Sequence, residues 1–137
     1  MRKNSSKKKY FYAVGRRREA TATVRLYIGK GMSLVNDKPI AKYFSGAVNK
    51  FHYQQPSVLT KTLTKHYATF RVKGGGPRGQ LQAVVLALSR ALQKIDREKY
   101  RPILKKAGLL TVDARARERR KAGQMGRARK KKQSPRR

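Results

Sequence analysis

The sequence predicts an α+β domain followed by a long basic tail. Apolar and polar residues alternate over residues 20–28 and again over 66–73, a pattern typical of strands with one buried face. Six apolar side chains fall on one stripe over residues 81–95, which indicates an amphipathic helix able to cover a sheet. Residues 113–137 carry twelve Lys or Arg and no apolar run. We therefore expect a folded body with an unburied cationic extension.

Strands form the first part of the body. The first is predicted over residues 10–14 and stops at Gly15, before three consecutive arginines. In the second strand, residues 20–28, the small Ala20 and Ala22 face inward and would allow a helix to pack closely. The fourth strand, residues 66–73, has a polar and basic outward face.

A hairpin is predicted between the second and third strands. Residues 29–31 contain two glycines and suit a tight turn. Met32 and Leu34 continue as the third strand, which ends at Asn36 and Asp37. The expected arrangement is an antiparallel meander.

Helices are predicted on four segments, and one intervening segment is predicted to be a loop. The helical segments are residues 39–44, 56–65, 81–95 and 102–107. Residues 47–55 show no clear period and are expected to be a loop, while Gly108 is the expected stop of the last helix. Burial of the stripe over residues 81–95 should contribute a gross ~9 to 18 kcal/mol before the entropy cost.

The charge of the chain points to a large anionic partner. The net charge is +31 and the isoelectric point is about 11.5. Residues 10–112 alone carry twenty basic side chains against four acids. A membrane surface is disfavoured, because no apolar stretch approaches the length of a span and no basic amphipathic helix is evident. Nucleic acid is the better interpretation.

Composition predicts three parts. Residues 1–9 form a basic arm, residues 10–112 a globular α+β domain expected to bind nucleic acid, and residues 113–137 an extended basic tail. Fully stretched, the tail would reach roughly 80 Å, whereas a body of about a hundred residues has a radius of gyration near ~13 Å. The tail can therefore act far from its anchor. The chain has no cysteine, which suits a reducing compartment, and no secretion signal is predicted.

A glycine-rich stretch, GGGPRGQ at residues 74–80, leads into the helix of residues 81–95. Successive glycine N–H groups at a helix N-terminus can bind a phosphate, with Lys73 and Arg78 beside them. A plain turn between strand and helix explains the glycines equally well, and the stretch lacks the ending of a P-loop. Both interpretations stay open at this point.

Catalysis, metal binding and cofactor binding are not expected. The six acidic residues are scattered, and none pairs with a plausible base. His52 and His66 have no second ligand at a suitable spacing. We therefore expect neither an enzyme, nor a cofactor, nor a small-molecule substrate.

Four stretches carry a family resemblance: GRRREATATVRL at residues 15–26, KGGGPRGQ at 73–80, SRAL at 89–92 and KKAGLLTVDARARERRK at 105–121. Together with the basic tail they closely resemble the bacterial-type ribosomal protein S-nine family of the small subunit. The resemblance implies a two-layer α+β sandwich: a four-stranded, mostly antiparallel sheet, helices on one face and a left-handed βαβ crossover.

The resemblance also implies a function. Members of this family are structural constituents of the small-subunit head, where the body binds rRNA beside neighbouring head proteins. Their C-terminal tail extends toward the tRNA in the peptidyl site. This implies a place on cytoplasmic ribosomes, with organellar ribosomes as the alternative.

Residue roles are carried over by position. The expected rRNA contacts are Arg16, Arg17, Arg18, Lys73, Arg78, Arg115, Arg119, Arg120, Lys121, Arg127, Arg129, Lys130, Lys131 and Lys132. The expected tRNA contacts are Arg136 and Arg137. Two other classes remain as alternatives: a DNA-compacting protein, which would share the charge and tail, and a phosphate-transfer enzyme using the glycine-rich stretch.

Overall fold

The computed structural model describes residues 9–124 and 126–129. It contains five strands and four helices within those residues. The strands are β1 (Tyr10–Arg17), β2 (Ala20–Ile28), β3 (Leu34–Val35), β4 (Lys38–Pro39) and β5 (His66–Lys73). The helices are α1 (Ile40–Tyr43), α2 (Ala47–Leu59), α3 (Pro77–Ile95) and α4 (Arg97–Lys106). The predicted α+β class is confirmed.

The strands form one mixed sheet in the order β1-β2-β5-β3-β4. Three neighbouring pairs are antiparallel, and the pair of β3 with β5 is parallel. The predicted four-stranded sheet is therefore not confirmed. The extra strand arises at Asn36 and Asp37, which have φ values of 47° and 65° and join β3 to β4 as a two-residue hairpin.

The predicted hairpin between the second and third strands is wrong. β5 pairs along β2 from Thr21↔Lys73 to Ile28↔His66, and so occupies the edge that β3 would have used. β3 lies instead beside β5, where the Asn36 side chain bonds both the N–H and the carbonyl of Val72, at 2.9 and 3.0 Å. The connection from β3 to β5 contains α1 and α2, which makes it a β-α-β unit. The left-handedness of this β-α-β crossover stays a prediction.

Alternation along the strands creates two different faces of the sheet. The inner face, as we call the inward-facing residues of β1, β2 and β5, consists of small and apolar side chains except at its two ends, where Arg17 and His66 lie. Its buried members are Ala13, Ala20, Ala22, Val24, Leu26, Ala68, Phe70 and Val72. The long helix α3 packs against this face, and the expected role of Ala20 and Ala22 is borne out because both are fully buried.

Gly15 explains how closely α3 approaches β1. A Cβ atom at this position would lie 2.1 Å from the carbonyl oxygen of Ala83 and 2.6 Å from the nitrogen of Ala87. Any side chain here would therefore collide with the helix backbone. Gly15 also pairs with Ala22 across the strands, so β1 continues to Arg17 rather than stopping at the glycine as predicted.

Two predictions around Pro56 are wrong, one of a loop and one of the start of a helix. Residues 47–55, predicted to be a loop, form most of α2, and Pro56 lies inside that helix instead of starting one. The local pattern was weak because α2 buries only Tyr53 and Pro56 while Val48 and Phe51 are exposed. Its apolar residues therefore do not form one buried stripe.

The last helix is longer than predicted, and its end is as predicted. α4 begins at Arg97, five residues before Pro102, because Asp96 caps it by accepting a hydrogen bond from the N–H of Lys99 at 3.0 Å. Gly108, with φ of 72°, follows the helix as expected. In the part of the chain that the structure describes, no helix combines the length and apolar character needed to cross a membrane.

Candidate nucleic-acid interface

One end of the sheet brings together the turn between β1 and β2 and the glycine-rich stretch before α3. Gly74 and Gly75 have φ values of 71° and 64°, which favour glycine because a Cβ atom is strained in this region. A Cβ atom at Gly74 would also lie 2.5 Å from the carbonyl oxygen of Glu19. The glycines therefore let the stretch pack directly on the β1–β2 turn, which carries Arg18.

A cleft of about 700 Å³ opens at this junction, and we call it the cationic cleft. Its lining residues are Arg17, Arg18, Glu19, Gly75, Gly76, Pro77, Arg78, Gly79, Ala116 and Arg117. Four of them are arginines and one is acidic. The cleft also includes the N-terminus of α3, where the first N–H groups lack carbonyl partners within the helix and the helix dipole is positive. Such a site attracts anions such as phosphate groups.

Arg17 ties the tail to this end of the body. Its Nε donates to Oε1 of Gln82 at 2.7 Å, and its Nη1 donates to the backbone oxygens of Asp113 at 3.3 Å and Arg115 at 2.7 Å. Its Nη2 lies 3.1 Å from Oδ2 of Asp113, and the side chain is only 11% exposed. We call these contacts the tail clamp. They fix the direction in which the tail leaves the body.

Asp113 is the acid at the centre of the tail clamp. Its carboxylate accepts from Nε and Nη2 of Arg115 at 3.0 and 2.8 Å, and from the N–H of Arg115 at 3.1 Å. The hydrogen bonds from Arg115, aided by the charges of Arg115 and Arg17, hold the pKa of Asp113 well below its ordinary value. The carboxylate is thus ionised and neutralised locally, so it does not form a separate negative patch beside the cleft.

The described part of the tail has neither helix nor strand, but it is not fully extended. Arg129 donates to both carboxylate oxygens of Glu118, with Nε at 2.8 Å from Oε2. These hydrogen bonds lower the pKa of Glu118. The pair closes a loop between residues 118 and 129, while the basic residues Arg119, Arg120 and Lys121 remain exposed on it.

The predicted rRNA contacts fall into several groups. The structure brings Arg17, Arg18 and Arg78 together at the cationic cleft. Lys73 is exposed at the end of β5, directly before the glycines. Arg16 is exposed near the end of β1, where it pairs with Thr21 of β2. Arg127 is exposed.

Besides Arg17, which is held in the tail clamp, two predicted contacts are engaged within the protein, and five predicted residues lie outside the described range. Arg115 and Arg129 are paired with Asp113 and Glu118. The five residues outside the described range are Lys130, Lys131, Lys132, Arg136 and Arg137.

Arg117 was missed by sequence reasoning. It lines the cationic cleft, although it stands in a segment where basic residues are so frequent that charge alone distinguishes none of them. The only local signal is its spacing of two residues from Arg115, which the tail clamp holds. Within the described ranges, His, Asp and Glu form no group of three or more that could hold a metal ion.

Comparison with known proteins points to one family. A family model described as "Ribosomal protein S9/S16" matches residues 15–137. "Small ribosomal subunit protein uS9" of Maridesulfovibrio salexigens is 51% identical over 119 residues, which cover 87% of this chain and 91% of that protein. The proteins of the same name from Leifsonia xyli subsp. xyli and Rickettsia rickettsii are 50% and 46% identical, over 81% and 90% of this chain and 66% and 76% of theirs.

Proposed function

This chain belongs to the ribosomal protein S9/S16 family, and we propose that it is a structural protein of the small ribosomal subunit that binds rRNA. In this proposal residues 10–112 are the RNA-binding body beside neighbouring head proteins, residues 1–9 are a basic arm, and residues 113–137 are a tail that extends toward the peptidyl-site tRNA. The protein acts on the ribosome without a cofactor, a small-molecule substrate or a catalytic step.

The observation that carries the proposal is the convergence of arginines on the cationic cleft. Arg18 and Arg78 come from two elements about sixty residues apart in the chain, and Arg117 comes from the tail. Guanidinium groups form paired hydrogen bonds with phosphate oxygens, and the N-terminus of α3 adds a positive dipole. An RNA backbone meets these requirements because its phosphates recur along the strand. The glycine-rich stretch would then serve both as a turn and as part of a phosphate site.

The tail clamp suits a protein that must aim a long cationic segment. An unattached tail with a net positive charge would repel the cationic cleft and sample many directions. Arg17 instead binds the tail at Asp113 and Arg115, so that Arg117 lies at the cleft. Only the residues beyond the clamp then need ordering when RNA binds, which lowers the entropy cost of association.

The first experiment measures sedimentation with small subunits in a cell lysate. The tagged full chain should follow the small subunit through a mild salt wash. The variant Arg18→Gln/Arg78→Gln should reduce that occupancy, and its affinity for free rRNA should show a salt slope smaller by about two, one for each lost phosphate contact. The matched control is Lys50→Gln/Lys105→Gln, which removes the same charge from exposed positions outside the cleft.

The outcome separates the possible partners. Sedimentation with DNase-sensitive nucleoprotein would identify a DNA-compacting protein and contradict the proposal. Equal salt slopes for the cleft variant and the lysine control would show that the arginines act only through net charge.

A second experiment tests the proposed tRNA contact. Small subunits that carry a chain without Arg136 and Arg137 should assemble normally but release peptidyl-site tRNA about tenfold faster, since charge-assisted hydrogen bonds contribute ~1.5 to 3 kcal/mol. The measurement is the tRNA dissociation rate at equal salt. Unchanged rates at full protein occupancy would leave the tail as an rRNA anchor alone.

A further inference from the structure

The face of the sheet turned away from the helices has a composition of its own. The outward-facing residues of β1, β2 and β5, which we call the open face, include four tyrosines: Tyr10, Tyr12, Tyr27 and Tyr67. Arg25 and Arg71 point the same way, and no acidic residue alternates with them along these three described strands. The open face therefore combines rings with positive charge.

The tyrosines are not equally accessible. Tyr27 and Tyr67 stack on each other, with ring centroids 5.1 Å apart and an angle of 14° between the planes. Gly31 approaches Tyr67 so closely that a Cβ atom there would lie 2.7 Å from the ring. This pair is engaged within the protein. Tyr10 and Tyr12, in contrast, are 44% and 46% exposed, although the Tyr10 ring also lies 5.8 Å from the Tyr27 ring, at an angle of 56°.

Arg25 adjoins both of these exposed tyrosines. Its guanidinium carbon is 5.3 Å from the centroid of the Tyr10 ring, and the residue is the cross-strand partner of Tyr12. Tyr12 and Arg25 are thus neighbours on adjacent strands, which lie ~4.8 Å apart, and Arg71 lies on the next strand, two residues further along the sheet, beside Thr23.

We propose that the open face binds an unpaired stretch of RNA, with bases stacked on Tyr10 and Tyr12 and phosphates held by Arg25 and Arg71. An aromatic ring stacks on any base, whatever its identity. Duplex RNA keeps its bases inside and offers no such surface to a sheet. An apolar protein face would cover the rings but would leave the guanidinium groups desolvated without counter-charges. Unpaired RNA satisfies both groups.

This surface is distinct from the cationic cleft. Tyr12 lies five residues from Arg17 along β1, roughly 17 Å at the rise of a strand. The inference rests on the proposed function for bringing the chain to RNA, and adds a second contact of different chemistry. The cleft recognises phosphates, whereas the open face recognises exposed bases.

The test uses the full chain and a single-stranded adenine-rich oligoribonucleotide that contains 2-aminopurine, a base whose fluorescence falls on stacking. Residues 113–137 contain no aromatic residue, so RNA held by the tail alone does not stack on a protein ring there. Wild type should quench the probe. In Tyr10→Leu/Tyr12→Leu the dissociation constant from this signal should rise about tenfold or more, or the quenching should vanish.

The matched control is Tyr10→Phe/Tyr12→Phe, which keeps the rings and should stay within about twofold of wild type. A duplex of the same sequence should bind all three proteins equally by anisotropy. Arg25→Gln should lower the salt slope for the single strand by about one. All variants should keep a cooperative thermal transition, because the changed side chains are exposed.

Quenching that survives in the leucine variant would overturn the proposal, and so would an equal loss of duplex and single-strand binding. In either case the proposed function stands if the wild-type chain sediments with small subunits. A wild-type chain that neither sediments with small subunits nor quenches the probe would contradict both the proposed function and the proposal for the open face.

Discussion

The two faces of one sheet have opposite tasks, although they are built from alternate residues of the same strands. On the inner face, Ala13, Ala20 and Ala22 are buried and small, and Gly15 has no side chain at all. On the open face, the residues that alternate with them are Tyr12, Val14, Arg16, Thr21 and Thr23. The inner face is shaped to admit a helix, and the open face is shaped to remain in contact with solvent or a partner. A shift of one residue in register would exchange the two.

This comparison separates stability from binding. Substitutions on the inner face should change the free energy of unfolding and leave the chemistry of RNA binding intact. Substitutions in the middle of the open face should do the reverse. The two ends of the inner face are the exceptions, because Arg17 lies at one end and His66 at the other.

The largest difference is expected between neighbours on β5. Phe70→Ala should lower the free energy of unfolding by ~3 to 5 kcal/mol, because it removes a buried ring and leaves a cavity. Arg71→Ala, on the open face, should change it by less than ~0.5 kcal/mol. Urea denaturation of both variants measures the contrast. Equal losses would show that the two faces do not differ in packing.

Gly15 should be the next most sensitive position. Gly15→Ala should cost ~1 to 3 kcal/mol or more, since the added Cβ meets backbone atoms of α3 rather than a flexible side chain. Gly76→Ser is the control: a Cβ there meets nothing within 4 Å, and serine suits the N-cap of α3. A Gly15→Ala protein with the denaturation midpoint of wild type would mean that α3 does not press on β1.

Local patterns in the sequence were enough to predict these faces but not the whole sheet. The alternation over β2 and β5 and the stripe of α3 are periodic signals, and burial of Phe70, Val72 and Leu92 agrees with them. The parallel pairing of β3 with β5 carried no local signal, because two residues of strand have no period. It depends on Asn36 bonding Val72, a contact between residues far apart in the chain.

The candidate site was predictable to a similar degree. The glycine-rich stretch indicated Arg78 as a phosphate contact, and the structure brings it to the cationic cleft together with Arg18. The role of Arg17 as a clamp was not foreseen, because two of its partners within the protein, Asp113 and Arg115, lie about a hundred residues away in the chain. Composition identifies cations but not which of them are already paired.

A smaller effect is expected from a substitution in the tail clamp, at the end of the inner face. Arg17→Lys keeps the charge but loses the planar group that reaches Gln82, Asp113 and Arg115 at once. Global stability should change little, because Asp113 is partly exposed, but the segment around Asp113, where the tail leaves the body, should become more accessible. Cleavage before Asp113 by an Asp-specific protease should become several-fold faster than in wild type.

Two controls show whether faster cleavage at Asp113 results from loss of the tail clamp. Asp96, which caps α4, provides a site in the same chain whose cleavage should not change. Arg16→Lys alters the outward neighbour and should leave cleavage at Asp113 as in wild type. Equal acceleration in both lysine variants would attribute the effect to the strand end and not to the clamp.

The smallest expected effect is a pH dependence from His66, at the opposite end of the inner face. Burial, and then the nearby charge of Lys65, lower the pKa of His66 below its ordinary 6.5, and its Nδ1 is buried without a hydrogen-bond partner. The unfolded chain therefore binds a proton more readily than the folded protein. Stability should be complete above about pH 6.5 and fall as the pH drops below it, since protonation then favours the unfolded state. The urea midpoint should decrease from about pH 7.5 to about pH 5.5, a window above the carboxylate pKa values. His66→Gln should reduce this decrease, while His52→Gln, changed at an exposed position on α2, should keep it. If the urea midpoint of His66→Gln decreased as much as that of wild type, His66 would not be the source of the pH dependence. The end of the inner face would then be open to water, and only the part covered by α3 would be buried.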